Sequence, residues 1–372
     1  MKRNVAVVAY AQVNVADIGK PRERAMFELV KGLYDSTGIT RHDIDTFVIC
    51  SNDFCVGHTI SNVFEDCPVG AYMKDETKVE MDGVMAVTYA MARILSGLYD
   101  TALVTGGSQG GSVMRPYLMM DYQLAPVYDR QLGLLNELSA AALQARAYMD
   151  AFGVSEEQID QVAAGMLDRA SRNPDAFNGK AGATAADVAA SDYLYEPLRQ
   201  MHCYPFTDGY CAIVLASEEK AREFTDSPVW IKGVGDSLDT YYPERDMAKV
   251  PSVKLAGERA YRMAGLAPGD IDVAEVSAKF AHQQPIICEG LGLAPEGSGG
   301  AGYTAAVDPS GGALGAYAFN SAGLVRIAEC CKQINGEAGA TQVEGVKTAL
   351  AHGQDGLCMQ HNAVMILSSE EG

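Results

Sequence analysis

The phrase Gly-x-x-x-x-Asp-Ile-Asp occurs twice, from Gly38 to Asp45 and from Gly265 to Asp272, 227 residues apart. Each copy opens with a glycine that stops a helical pattern. Each then leads into a β-rich run, 47–50 in the first copy and 273–276 in the second. A second echo closes both halves: IVLASEE, from Ile213 to Glu219, is answered by MILSSEE, from Met365 to Glu371. Two copies of a unit mixing strands and helices restrict the chain to a duplicated α/β fold. The periodicity breaks between Phe224 and Pro251, at Pro228, Gly233, Gly235 and Tyr241-Tyr242-Pro243, where one half should give way to the other. The expected first half is residues 1–114 with 205–245, and the expected second half is 246–372. Between the parts of the first half lies an insertion, 115–204. Its residues 132–151 repeat at helical spacing, Val154-Ser155-Glu156-Glu157 reads as the capped start of a helix reaching Arg172, and Asn173-Pro174 breaks it. Such a helical insertion is expected to act as a lid over a substrate.

Composition excludes several classes. The chain has 372 residues, 48% of them hydrophobic, which suits two or three domains around a sizeable core. No apolar run reaches the length of a membrane span. The start, MKRNVAVVAYAQV, reads as a first strand near 5–9 rather than a signal peptide. The formal charge of −19 opposes nucleic-acid binding, which depends on Lys and Arg meeting phosphates. It also means that an anionic substrate needs a local basic patch or one lent by a partner. Nine cysteines, an odd number without regular spacing, point to reduced thiols and a cytoplasmic protein. No pair has zinc-knuckle spacing, so no metal is expected.

The stretch from Lys78 to Ser108 is the most apolar long segment. Asp82-Gly83 opens a helix; Val84, Val87, Ala90, Met91, Ile94 and Leu95 recur at helical spacing; Ser96-Gly97 closes it. A strand follows at 101–105. A helix apolar on nearly every side should be buried in a core or at a subunit interface. Its N-terminus, with unpaired amides and the positive end of the helix dipole, stabilises negative charge.

Several stretches together resemble the thiolase superfamily, and within it the sterol-carrier/lipid-transfer branch. They are Asn173-Pro174 with Asn178, Thr207-Asp208-Gly209 before a strand, KLAGERAYRMAGL from Lys254 to Leu266, and Asp308-Pro309-Ser310-Gly311-Gly312. The resemblance covers nearly the whole chain. It implies a duplicated five-layer αβαβα fold with a helical lid insertion, coenzyme A as a substrate with no covalently bound cofactor, and a homodimer core. It also implies a small partner with an OB fold and a zinc ribbon, of the DUF35 type.

The same resemblance exposes departures at each catalytic motif. Counting back from Ser96-Gly97-Leu98-Tyr99-Asp100, Glu80-Met81-Asp82-Gly83 falls on the Cys-Ala-Ser-Gly pattern of the family, so Glu80 stands at the nucleophilic cysteine. The His- or Asn-Glu-Ala-Phe motif becomes Ser277-Ala278-Lys279-Phe280. The Gly-His-Pro motif becomes Ala316-Tyr317-Ala318. The final glycine-rich loop, GQDGLCMQHN, holds Cys358 and His361. A carboxylate cannot readily replace a thiolate that accepts an acyl group. Glu80 can instead act as a base or cap the helix start, and Asp82 is more simply the N-cap. Tyr317 can donate to an oxyanion or move a proton, or be an aromatic packed in a remodelled pocket. Ser277, His361 and Cys358 are further catalytic candidates, while His282 reads as structural. Ser310, Gly311, Gly312 and Asn320 fall where the resemblance implies binding of substrate or coenzyme A; paired glycines let backbone approach a ligand and offer amides. The implied activity is cleavage or formation of a carbon–carbon bond beside a coenzyme A thioester. One form is thiolysis of a bulky β-keto acyl-CoA such as an aromatic 2-acylsuccinyl-CoA, as in benzoylsuccinyl-CoA thiolases of aromatic degradation. Another is retro-aldol cleavage of a β-hydroxy acyl-CoA, and a third reading is a non-catalytic subunit of a complex.

Overall fold

The computed structural model describes residues 3–56, 59–112, 124–125, 127–134, 136–241 and 244–371. The first part of the insertion (113–123) and Tyr242-Pro243 in the expected break lie outside them. The first half runs β1 (Val5–Val15), α1 (Arg22–Thr37), β2 (Thr46–Cys50), two short helices α2 (Asp53–Val56) and α3 (Val63–Val69), β3 (Asp75–Val79), α4 (Gly83–Leu95) and β4 (Thr101–Gln109). The insertion contributes α5 (Glu137–Phe152), α6 (Glu156–Ala170), α7 (Ala185–Ala189) and a small hairpin, β5 (Tyr193–Tyr195) with β6 (Leu198–Arg199). Then come β7 (Asp208–Ser217) and α8 (Glu218–Phe224). The rest is β8 (Val229–Leu238), α9 (Pro251–Ala264), β9 (Val273–Val276), α10 (Gln283–Gly290), β10 (Ala306–Val307), α11 (Gly312–Gly315), α12 (Ala322–Asn335), β11 (Thr348–Asp355) and β12 (His361–Ser368).

The main sheet has the order β10-β9-β11-β12-β8-β1-β7-β4-β2-β3. It is symmetric about the β8–β1 contact. On one side β4, β2 and β3 run parallel and β7 and β1 antiparallel; on the other β11, β9 and β10 run parallel and β12 and β8 antiparallel. The two halves join through only the short antiparallel pairing of Ala6 with Trp230 and Val7 with Val229. β8 stands beside β12 as β1 stands beside β7, so we count the second half from Val229 rather than from residue 246.

The glycines that stop the repeated helices do so for the expected reason: Gly38 and Gly265 adopt φ of 76° and 69°, and their amides bond back to Tyr34 and Tyr261. Strand alternation then distributes the core. Phe47 and Ile49 face α1 through Met26, Val30 and Leu33, whereas Val48 and Cys50 face the opposite way, onto α4 and α12. These two helices are shared by both sheets. Val84, Val87 and Ile94 of α4 and Leu324, Ile327 and Ala328 of α12 pack with Val104 and Ile213 from the first half and Ala351 and Met365 from the second. On the far side of the second half, α9, α10, α5 and α6 cover β9, β11 and β12. The layers are therefore helix, sheet, paired central helices, sheet, helix. Within one chain α4 is not covered on every side: Tyr89 and Leu95 are each 41% exposed. The insertion is packed firmly, with Tyr148, Ile159, Met166 and Leu167 buried in the second half's core. No helix among the described residues is long and apolar enough to cross a membrane.

Candidate active site

The two central helices begin at the same place, and one side chain joins them. Asp82 caps α4 by accepting from the Val84 amide at 2.9 Å, as its residue type and position predict. Its second oxygen accepts from the Gly323 amide at 3.1 Å, in the first turn of α12. A Cβ at Gly323 or at Gly353 of β11 would collide with the Asp82 carboxylate, so glycine is required at both. Burial pushes this carboxyl up to about 7 against the pull of the Val84 amide, and the charge of Asp355 adds to the rise. The Cys50 thiol, at the end of β2, donates to the carbonyls of Met81 and Asn320 and closes this junction from the first half.

A second buried cluster sits beside it. The residues that end the insertion run against those that follow β9: the Tyr204 amide donates to the Lys279 carbonyl and the Ala281 amide to that of His202, both at 2.8 Å. That pairing carries Lys279 to the start of α5, where Nζ donates to Glu137 Oε1 at 2.9 Å. The Lys279 and Glu137 side chains are 5% and 2% exposed. Burial is the largest single influence and disfavours the ammonium; the Glu137 charge and hydrogen bond, with Tyr317 and Asp355, together outweigh it and hold the ammonium raised and charged. Glu137 also accepts from the Tyr204 hydroxyl at 2.9 Å.

Tyr317 completes the centre. It lies between α11 and α12, with its ring centroid 4.7 Å from that of Tyr204, 5.5 Å from that of Phe319 and 5.7 Å from Lys279 Nζ. Burial raises its phenol, partly opposed by Lys279, so it is a neutral O–H donor at physiological pH. Among the described residues its hydroxyl has no hydrogen-bond partner. Asp82, Glu137 and Asp355 all act on it electrostatically. The centre is thus a neutral phenol, a charged ammonium and a carboxyl that titrates near neutrality, largely withdrawn from water.

Of the residues singled out from sequence, the structure brings Tyr317 and Cys358 to this neighbourhood, with Ser277 just before Lys279. Burial pushes the Cys358 thiol up to about 12, so it is not a thiolate; the same cause raises Cys203, Cys211, Cys288, Cys330 and Cys331. Ser277 Oγ is buried without a partner, and its carbonyl accepts from Gln354. Asn320 lies two residues before α12 at φ 66°, with its Nδ2 buried and unpartnered. His282 is buried with its Nε2 3.3 Å from Gln144 Oε1, and burial pushes its imidazole down to about 3, a structural setting.

Three assignments move away from the centre. Glu80 neither caps α4 nor faces Tyr317: its side chain is half exposed and ion-paired with Lys78 at 2.6 Å, among polar groups that include Asp53. His361 begins β12 and has its Nε2 3.8 Å from Asp236 on β8. The Ser310-Gly311-Gly312 turn is occupied by the protein itself. A Cβ at Gly311 would strike Ala170 of α6, and one at Gly312 would crowd Asp308 and Met166. The Gly311 amide donates to the Asp308 carbonyl, the Gly312 amide to Ser310 Oγ, and Ser310 binds Glu275, which also meets Arg326. These glycines allow helix packing rather than ligand approach. Asn173 and Asn178 clamp the same turn by donating to the Ser310 and Leu314 carbonyls.

The residues missed from sequence are Lys279, Glu137 and Tyr204, together with the second role of Asp82. The one local signal was a lysine inside the apolar Ser-Ala-Lys-Phe segment.

Residues 238–369 match the thiolase C-terminal domain-like family. The chain is 29% identical over 370 residues to an acetyl-CoA acetyltransferase of Methanothermobacter thermautotrophicus, covering 94% of this chain and 96% of that one. It is 34% identical over 183 residues to rabbit (Oryctolagus cuniculus) sterol carrier protein 2, covering 45% of this chain and 34% of the relative. Over 233 residues it is 30% identical to the 17-hydroxy-3-oxo-4-pregnene-20-carboxyl-CoA lyase of Mycobacterium tuberculosis, covering 59% and 60%. Among solved structures, the Ltp2-ChsH2(DUF35) aldolase superimposes with a TM-score of 0.86 at 22% identity, covering 99% of both chains.

Proposed function

We propose that the chain is a thiolase-superfamily protein of the sterol-carrier-type branch, and that it cleaves or forms a carbon–carbon bond beside a coenzyme A thioester without an acyl-cysteine. The observation that carries this reading is Tyr317, a buried neutral phenol with an unclaimed hydroxyl where the family places histidine. The cysteine position holds a half-exposed Glu80, and burial keeps the thiol of Cys358, which lies near Lys279 and Glu137, protonated.

The geometry favours the retro-aldol form. In that reaction a β-hydroxyl loses its proton and becomes a carbonyl. The carbon–carbon electron pair passes into the thioester as an enolate, and a proton returns to the enolate carbon. No external nucleophile is consumed. Tyr317 would donate to the developing enolate oxygen, and Lys279, fixed by Glu137, would stabilise the negative charge. Asp82 has the proton affinity suited to exchange near neutrality. The lyase relative acts on a coenzyme A ester by name, which supports this form.

A second form has its own support in the nearly full-length similarity to an acetyltransferase. There coenzyme A would attack a bulky β-keto acyl-CoA directly, an aromatic 2-acylsuccinyl-CoA being one such substrate. The name of the aldolase similar in fold joins Ltp2 to ChsH2, a DUF35 protein. It supports a small partner of that kind here, able to supply the basic surface that a chain of charge −19 lacks.

The test is turnover of β-hydroxy and β-keto acyl-CoA panels, with and without coenzyme A and a co-expressed DUF35 protein. Cleavage to a ketone or aldehyde without added coenzyme A, falling by about 10²-fold or more in Tyr317→Phe, is the expected result. Cleavage only with coenzyme A would select thiolysis. No turnover on either panel would leave a structural subunit.

A further inference from the structure

A cavity of about 550 Å³ lies on the outer side of β10, away from the Tyr317 cluster and bounded by α6 and the loops at 299–309 and 340–343. Its lining includes Arg169 and Arg172 from the end of α6, with Gln161, Gln284, Tyr303 and Gln342, and no aspartate or glutamate. In a chain with 48 acidic residues against 29 basic ones, this lining, with two arginines and no carboxylate among the described residues, is locally basic. Arg169 is half-buried and forms no ion pair among the described residues. Its Nε donates to the Asp308 carbonyl at 2.8 Å, which fixes the plane of the guanidinium and leaves its two terminal nitrogens to the cavity. Arg172 meets Asp168 only at 3.5 Å, near the surface. The floor is built to hold this arrangement. Gln284, almost wholly buried, donates to Asp308 Oδ2 at 2.5 Å and accepts from the Tyr303 hydroxyl at 3.3 Å, and Asp308 is itself held at φ 46°.

A half-buried guanidinium is normally matched by a carboxylate, because withdrawing its charge from water is otherwise unfavourable. Among the described residues no carboxylate lies within ion-pair distance of Arg169; the buried Asp308 carboxyl acts on it only at longer range. The planar donor fork suits two phosphate oxygens at once, and the volume falls within the range of small-molecule sites, about 300–1,000 Å³. We propose that this cavity is a second small-molecule site that binds a phosphate ester through Arg169 and Arg172. The inference stands whether or not the chain cleaves carbon–carbon bonds.

The test is calorimetric titration of the full chain with adenosine 3′,5′-bisphosphate, with ADP and with inorganic phosphate. Saturable binding of at least one probe is expected, weakening tenfold or more in Arg169→Gln. Because that change also removes the bond to Asp308, an exposed pair of variants carries the test independently. Gln161→Glu should weaken binding and Gln161→Lys should tighten it, each by about threefold to tenfold. Competition by acyl-CoA with the bisphosphate would identify the ligand as the phosphorylated end of coenzyme A. Binding of ADP or phosphate that acyl-CoA does not displace would identify a separate effector. If no probe binds saturably up to millimolar concentration, or the Gln161 variants leave the affinity unchanged, the assignment is wrong.

Discussion

Asp82 holds hydrogen bonds to two different helices while its carboxyl stays neutral well above the usual carboxylate range. In an unfolded chain an aspartate ionises near ~3.9, whereas in the fold Asp82 keeps its proton to about 7. Between those values the native state binds the extra proton. Stability therefore falls as pH rises, by about 1.4 kcal/mol per pH unit from this group, and levels off above about 7. An asparagine at this position does not titrate. It also loses an acceptor for one of the two buried amides, a cost of about 1–3 kcal/mol. The stability deficit of Asp82→Asn should therefore be widest at or below about pH 4, still be wider at pH 5 than at pH 8, and level off above about 7 in denaturant titrations; a deficit independent of pH would show that Asp82 is not the titrating group. Lys279 and Glu137 make the opposite kind of pair, with both members charged. Lys279→Met leaves Glu137 buried and uncompensated and should cost about 3–5 kcal/mol, whereas the joint change Lys279→Met with Glu137→Leu should recover most of that loss in the same assay. Glu80→Gln, at a half-exposed site, should leave stability within about 1 kcal/mol and leave turnover unchanged.

The elements show why some of this was readable and some was not. α1, α9, β2 and β9 were visible because each signal is local: an apolar stripe, a left-handed glycine, then Asp-Ile-Asp and a strand. The capping role of Asp82 was equally local. Its second partner, Gly323, is 241 residues away, and no spacing rule reaches that far. Lys279, Glu137 and Tyr204 come from three elements that meet only because residues 202–204 run against 279–281, so nothing in their own neighbourhoods marked them as a set. The Ser310-Gly311-Gly312 turn was visible as a motif, but its close packing against Ala170 and Met166 of α6 was not, because those partners lie far away in sequence. Gly311→Ala tests that packing. Its φ of 92° strains any side chain, and the added methyl meets Ala170. We expect a loss above about 2 kcal/mol, from backbone strain and overpacking together, in equilibrium unfolding. A substrate-binding role alone would instead raise KM while leaving the unfolding midpoint unchanged.

At the scale of the whole molecule the two ends of the sheet differ. β10 has only two residues and lies under the loops around the phosphate-ester cavity. β3 is five residues long, pairs with β2 alone, and has an open outer edge. Long open edges invite pairing with another chain unless they are protected. Beside this edge, Arg93 of α4 donates to Thr77 Oγ1 at 2.6 Å and ion-pairs with Asp75, and Tyr89, one turn earlier on the same helix, is 41% exposed. An exposed aromatic on an otherwise buried central helix, next to a strand whose outer edge is open among the described residues, suits a second copy of this chain, which would extend the sheet and cover both features at once. The purified protein should therefore run at twice the chain mass in light scattering at micromolar concentration. Dissociation should accompany Tyr89→Glu, which places charge in the covered patch without touching the core. Because the surface is strongly acidic, dimerisation by apolar burial should strengthen with added salt, which screens the repulsion between copies. A wild-type chain that stays monomeric at tens of micromolar in both low and high salt would mean that something other than a second copy covers β3.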